Sequence, residues 1–229
     1  VTVLEFARGP GLQWAVSIFV AGVLWRLLGV FLLRTKKDLS EPRNPAAWKG
    51  LRLIALRSWP RREFLQGTAF GEVMGYAFHV GFLVALFFYA PHVLFFADVA
   101  QGLIGTDLEG MLGVRWPTLP NGIITFVSAV SVAALVAVLV HRLVNPVKRL
   151  ISNFDDYMSW FVTIAPLVTG MAAFSHLAGW PYERLLAFHL LSVELLMVWF
   201  PFGKLMHAFT IFAARGATGM IFERRGASL

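Results

Sequence analysis

The chain has 229 residues, 58% hydrophobic and 14% charged, with a formal net charge of +7 and no cysteine. That balance is too apolar for a soluble globular domain and leaves no room for a large soluble domain. The lack of cysteine excludes disulfides, thiolate-held iron–sulfur clusters and cysteine-based zinc sites within the chain, so any metal must be held by His, Met or carboxylates.

Five apolar runs predict an all-α integral membrane bundle of five transmembrane helices in a single domain, residues 1–229. Span one covers about 12–33 and contains one charge, Arg26. The segment before it, with Glu5 and Arg8, lacks a basic n-region and a small-residue cleavage site. The run therefore reads as a retained span and not as a signal peptide. Residues 34–63 form a polar loop with nine Lys/Arg against three acids. Trp48, Leu51, Leu53, Ile54, Leu56 and Trp59 interleave with those charges, as in a short amphipathic interfacial helix or a solvated connector.

Span two covers about 66–97 and holds Glu72, His79, Pro91 and His92. It is long for one crossing, so it is expected to tilt, kink at Pro91 or continue into the interface. Residues 98–118 carry Asp98, Asp107 and Glu109 against Arg115. Span three covers about 119–140 and ends in His141-Arg142. A connector with Lys148, Arg149, Asp155 and Asp156 leads to span four, about 157–177, with His176 near its end. A turn at Gly179-Trp180-Pro181-Tyr182-Glu183 opens span five, about 182–213, with His189 and His207.

The loop after span one, the loop after span three and the C-terminal tail share a side and carry 15 Lys/Arg, against only Arg8, Arg115 and Arg184 on the other. The positive-inside rule places the N-terminus outside and the C-terminus in the cytoplasm of a prokaryotic inner membrane. The basic residues thus report topology, and nucleic acid is not an expected partner.

Histidine inside a bilayer needs a partner or a ligand. His189 and His207 are 18 residues apart, which on one helix is about five turns and roughly 27 Å of rise, on a single face. The orientation assigns depths: His189 outer and His207 inner on span five, His79 inner-to-middle and His92 outer on span two. Pairing by depth gives His79 with His207 and His92 with His189, and each pair can supply two axial imidazoles to a b-type haem. His79 and His92, 13 residues apart, lie about 140° apart on an ideal helix and share a face only if Pro91 rewinds it. His176 matches the outer depth and is an alternative to His92 as ligand, or a residue facing a quinone. His141 is expected at the interface.

Arg26, Glu72, Glu194 and Lys204 are the charges within spans. Arg26 is suited to a haem propionate or to snorkelling inward. Glu194 can relay a proton or pair with Arg26 or another polar group. Lys204 is expected to snorkel or meet a propionate, and Glu72 to be interfacial. Gly67, Gly71 and Gly75 repeat every four residues, a spacing that admits a close helix or a flat macrocycle. No phosphate loop, nucleophile–base motif or zinc signature is present.

The string Phe200-Pro201-Phe202-Gly203-Lys204-Leu205-Met206-His207 resembles the end of the last span in the gamma subunit of membrane-bound respiratory nitrate reductase. So do His189, the run Phe78-His79-Val80-Gly81 and the pair Trp25-Arg26. The wider family includes cytochrome b subunits of sulfate-reducer membrane complexes and the membrane subunit of heterodisulfide reductase. The resemblance implies a dihaem cytochrome b, an electron-transfer subunit of a quinone-linked oxidoreductase rather than its terminal catalytic subunit. Electrons would pass between quinone or menaquinone and a cytoplasmic iron–sulfur subunit, with a further catalytic subunit beyond. His79 and His207 match the inner-haem ligands and His189 one outer-haem ligand. The family's remaining ligand falls on Tyr89 here, a departure that leaves His92, His176 or an absent outer haem as alternatives. The rival reading from another class is a cofactor-free membrane anchor or small transporter subunit.

Overall fold

The computed structural model describes residues 2–32, 41, 43, 48–56, 58, 63, 65–106, 109–110, 113–177 and 179–226. Every regular element among them is a helix: α1 Val3–Arg8, α2 Pro10–Leu32, α3 Trp48–Leu56, α4 Leu65–Phe88, α5 Ala90–Ile104, α6 Asn121–Val144, α7 Pro146–Ile151, α8 Phe154–Phe174, α9 Tyr182–Trp199 and α10 His207–Arg225, with a 3-10 turn at Lys204–Met206. Five stretches among the described residues are long and apolar enough to cross a membrane: Val3–Leu32, Leu65–Phe88, Asn121–Val144, Phe154–Phe174 and Lys204–Arg225. The first four correspond to expected spans one to four, but the first begins nine residues earlier than expected and the second ends nine residues earlier. Large apolar side chains such as Trp14, Trp25, Phe31 and Phe126 stand exposed, as surface meant for hydrocarbon does.

The expected span over 182–213 is not one helix. It divides into α9 and α10 around a break at 200–203. Pro201 has no N–H to continue the ladder, and Gly203 sits in extended backbone, φ −103° and ψ −174°. The five-turn, same-face relation of His189 and His207 is therefore corrected: the two residues sit on separate helices. The apolar crossing stretch is the second piece, because α9 carries Glu183, Arg184 and Glu194 in its 18 residues.

Span two breaks as well, at the expected proline. α4 stops at Phe88, Tyr89 is extended (φ −78°, ψ 126°), and Pro91 sits in the first turn of α5. The helical angle of 140° between His79 and His92 no longer applies.

By its contacts the chain forms two compact units. The first comprises Val1–Ala69, Asn153–Val162 and Leu190–Leu229. Here Gly22 of α2 receives the break: a Cβ on it would lie 2.6 Å from Pro201 Cγ, and Pro201 is fully buried. Phe19 of α2 packs on Phe200 and Phe209 at 5.4 and 6.0 Å between ring centroids. α3 is helical, as its amphipathic pattern suggests, and lies on α10, where Ile54 faces Gly216 and Arg215 Nη1 donates to Ser58 Oγ at 2.9 Å. Trp59 lies outside the described residues.

The second unit comprises Phe70–Ser152 and Thr163–His189. Gly81 of α4 meets α6 so closely that a Cβ would lie 2.6 Å from the Val127 carbonyl oxygen. Ser131, fully buried, donates there to Val127 O at 2.8 Å and reaches Phe78 O at 3.3 Å. Gly67, Gly71 and Gly75 do not serve this packing: a Cβ on any of them would meet nothing within 4 Å.

Candidate functional site

The break at Tyr89 frees backbone carbonyls that a continuous helix would satisfy, and each must find a donor. Phe87 O, four residues before Pro91, accepts from Trp116 Nε1 at 2.8 Å. Phe88 O accepts from the Leu119 amide at 2.9 Å. The segment before α6 therefore caps the end of α4 and holds the break open. His92, on the first turn of α5, is turned back so that its Nδ1 lies 3.0 Å from Ala85 O. The Tyr89 ring stands edge-on to His92 at 5.1 Å and to Phe174 at 6.0 Å.

His189 of α9 faces His92 within the second unit. The ring centroids are 6.1 Å apart and the planes 19° from parallel. The rings are stacked, whereas two imidazoles sharing one metal ion lie end-on, with metal–nitrogen bonds of about 2 Å and centroids also roughly 6 Å apart. Ordinary ring pairs also occupy the range of about 4.5–7 Å, so the hydrogen bonding carries more weight than the spacing. Thr169 Oγ1 donates to Ala165 O at 2.7 Å, so its oxygen accepts from His189 Nδ1, at a long 3.4 Å. The His189 ring also hydrogen-bonds the Pro166 carbonyl. Gly170 makes the approach possible, because a Cβ there would lie 3.0 Å from His189 Cε1.

The same pattern holds at the other two histidines. His79 Nδ1 lies 2.7 Å from Gly75 O, and His207 Nδ1 lies 2.8 Å from Lys204 O. A carbonyl only accepts, so at His79, His92 and His207 Nδ1 carries the proton and Nε2 is the nitrogen suited to a metal. Metal-ligating histidines are oriented in this way. His79 belongs to the second unit and His207 to the first, and both are exposed. No three His, Asp or Glu side chains converge as a metal cage among the described residues. Among the described residues His92 and His189 are the histidines brought face to face.

His176 is elsewhere. It is exposed on the turn after α8, with φ 50°. Its ring stacks on Tyr182 at 5.2 Å and 16°, and its Nδ1 lies 3.2 Å from Phe174 O. Of the two alternatives for the partner of His189, the structure brings up His92. His141 packs on Phe70 at 4.5 Å.

Three expectations about the charges change. Arg26 is exposed on α2 and does not pair with Glu194. Glu194 is 7% exposed, with one oxygen 2.7 Å from where a Gly11 Cβ would sit and Oε1 without a hydrogen-bond partner. Lys204 forms an ion pair, Nζ to Asp156 Oδ2 at 2.6 Å, in place of free snorkelling. Sequence reasoning missed Thr169 and Gly170, and took Asp155 only as a connector charge. Thr169-Gly170 just after the in-helix Pro166 was the available signal.

No family model matches the chain, and no solved structure matches it. A curated protein of Nitratidesulfovibrio vulgaris, named only "Protein", is 26% identical over 237 aligned positions, covering 97% of this chain and 96% of that one. The likeness runs the length of both chains, and that protein's name states no activity.

Proposed function

We propose that this chain is the membrane cytochrome b subunit of a respiratory oxidoreductase, resembling the nitrate reductase gamma subunit. It would carry electrons through two b-type haems between the quinone pool and a cytoplasmic iron–sulfur subunit. The observation that carries this reading is the His92–His189 pair, with rings 6.1 Å apart and Nδ1 of both engaged. His92 and His189 would hold the outer haem, from the first turn of α5 and the middle of α9. His79 and His207 would hold the inner one, by their expected depth and by the resemblance. Bound haem supplies one-electron exchange. The chain's own part is to fix the imidazoles by their Nδ1 bonds, to exclude water with apolar helices and to set the two sites at different depths. Gly71 and Gly75 leave open surface near His79, which suits a flat group. The basic loops support an orientation with the N-terminus outside and the C-terminus in the cytoplasm, and the cytoplasmic face is where an iron–sulfur partner would dock.

One observation favours a second reading. Two broken helices and a buried, unsatisfied Glu194 are features also found where transporters bind ions. A dithionite-reduced minus oxidised spectrum of the purified chain separates the two. The haem reading requires a b-type α-band, and a transporter subunit gives none. Absence of that band from protein expressed with ample haem would sink the proposal.

A further inference from the structure

The break between α9 and α10 is held by one carboxylate. Asp155, in the first turn of α8, accepts through Oδ1 from Ser159 Oγ at 2.8 Å and from the Lys204 amide at 3.2 Å. Ser159 Oγ in turn accepts from Trp199 Nε1 at 3.1 Å. Trp199 is the last residue of α9 and Lys204 the first after the break, so both sides of the break are tied to a single turn of α8. Gly203 lies between them under the carboxylate, where a Cβ would sit 2.8 Å from Asp155 Oδ1. The tie continues beyond Lys204: the carbonyl of that residue accepts from His207 Nδ1 at 2.8 Å. One peptide segment therefore has its amide fixed by Asp155 and its carbonyl fixing the imidazole. All of these residues belong to the first compact unit.

We infer that Asp155 is a positioning residue for His207, setting the orientation of that imidazole through the Lys204 backbone. The inference rests on the reading of His207 as a haem ligand. It assigns Asp155 a role distinct from that of its neighbour Asp156, which pairs with the Lys204 side chain and accepts from the Asn153 amide. A hydrogen bond to an ionised carboxylate is stronger than a neutral one. Asp155→Ala removes the acceptor. Asp155→Asn keeps its shape and removes its charge.

The test uses the full chain, purified with its cofactors, in four forms: wild type, Asp155→Ala, Asp155→Asn and Asp156→Asn. Two quantities are read. One is hydrogen exchange at the Lys204 amide, which needs no haem activity. The other is the low-spin EPR signal and midpoint potential of the haem that disappears in His207→Ala. Asp155→Ala is expected to speed exchange at Lys204 by about tenfold or more and to shift that haem's EPR signal, leaving the other haem unchanged. Asp155→Asn is expected to retain part of the amide protection and to raise that haem's potential, because a negative charge is lost. Asp156→Asn, which also loses a negative charge and frees the Lys204 ammonium, is expected to raise the potential too but to leave exchange at the Lys204 amide and the haem's EPR signal at wild-type values. Faster exchange with an unaltered haem signal would overturn the inference and leave Asp155 a structural clasp. Unchanged exchange in Asp155→Ala would overturn it outright. Should Asp155→Ala not fold, Asp155→Asn carries the test, and an unshifted potential there contradicts the inference. A wild-type chain without b-type haem would overturn the functional reading and the inference together.

Discussion

The two helix breaks solve one problem in opposite ways. At Tyr89 the groups left over are carbonyls, and the protein brings donors to them: the Trp116 indole and the Leu119 amide. At 200–203 an amide is left over, and the protein brings an acceptor, the Asp155 carboxylate. Each lies beside a proline, Pro91 or Pro201, and that proline is followed within six residues by a candidate ligand, His92 or His207. A proline inside a helix is tolerated in a membrane only where the freed backbone groups are satisfied again. The comparison teaches that the breaks are built features that orient a histidine. The first does so through a carbonyl seven residues back, at Ala85. The second does so through a carbonyl three residues back, at Lys204.

The largest expected effect tests whether the two breaks serve two separate sites. His207→Ala should remove one haem and spare the other, halving the haem content by pyridine haemochrome assay. His189→Ala should remove the other. Loss of both haems from either variant would show that the sites are not independent.

Packing changes come next. Gly81→Ala places a methyl against the Val127 backbone and should destabilise the fold around the first break by about 1–3 kcal/mol. Thermal unfolding in detergent measures this. An unchanged midpoint would mean that α4 and α6 are not so closely apposed. Gly170→Ala is expected to act locally, displacing His189 by a few tenths of an ångström and weakening outer-haem retention during purification while the inner haem stays.

A smaller effect isolates one cap. Trp116→Phe keeps the ring and removes the donor to Phe87 O, a loss of about 1 kcal/mol in the same unfolding assay. The smallest is expected at His176. His176→Ala should leave both haems in place, since its ring stacks on Tyr182. Loss of one haem there would move the outer ligand from His92 to His176.

The all-helical fold with five stretches able to cross a membrane was legible because apolar runs report spans directly. The break at Pro91 was legible from proline alone. The break at 200–203 was not: an apolar run looks the same whether or not its helix is continuous, and Pro201 with Gly203 was read as part of a motif instead of as a stop. Reading His189 and His207 along one helix axis therefore overstated their relation. The pairing of His92 with His189 followed from depth, whereas the choice against His176 needed the left-handed turn that directs it to Tyr182. Glu194 was expected to find a partner. Its burial beside Gly11 depends on how closely two helices approach, which periodicity does not reveal. Thr169 and Gly170 went unnoticed, and Asp155 counted only as a connector charge, for the same reason: their roles arise from contacts made across helices.

The haem-to-chain ratio of the purified wild-type protein, by pyridine haemochrome with the protein quantified by amino-acid analysis, tests the central claim most directly. Two b-type haems per chain are expected. A ratio near one would refute the dihaem arrangement, and a ratio near zero in haem-replete preparations would contradict the cytochrome reading altogether.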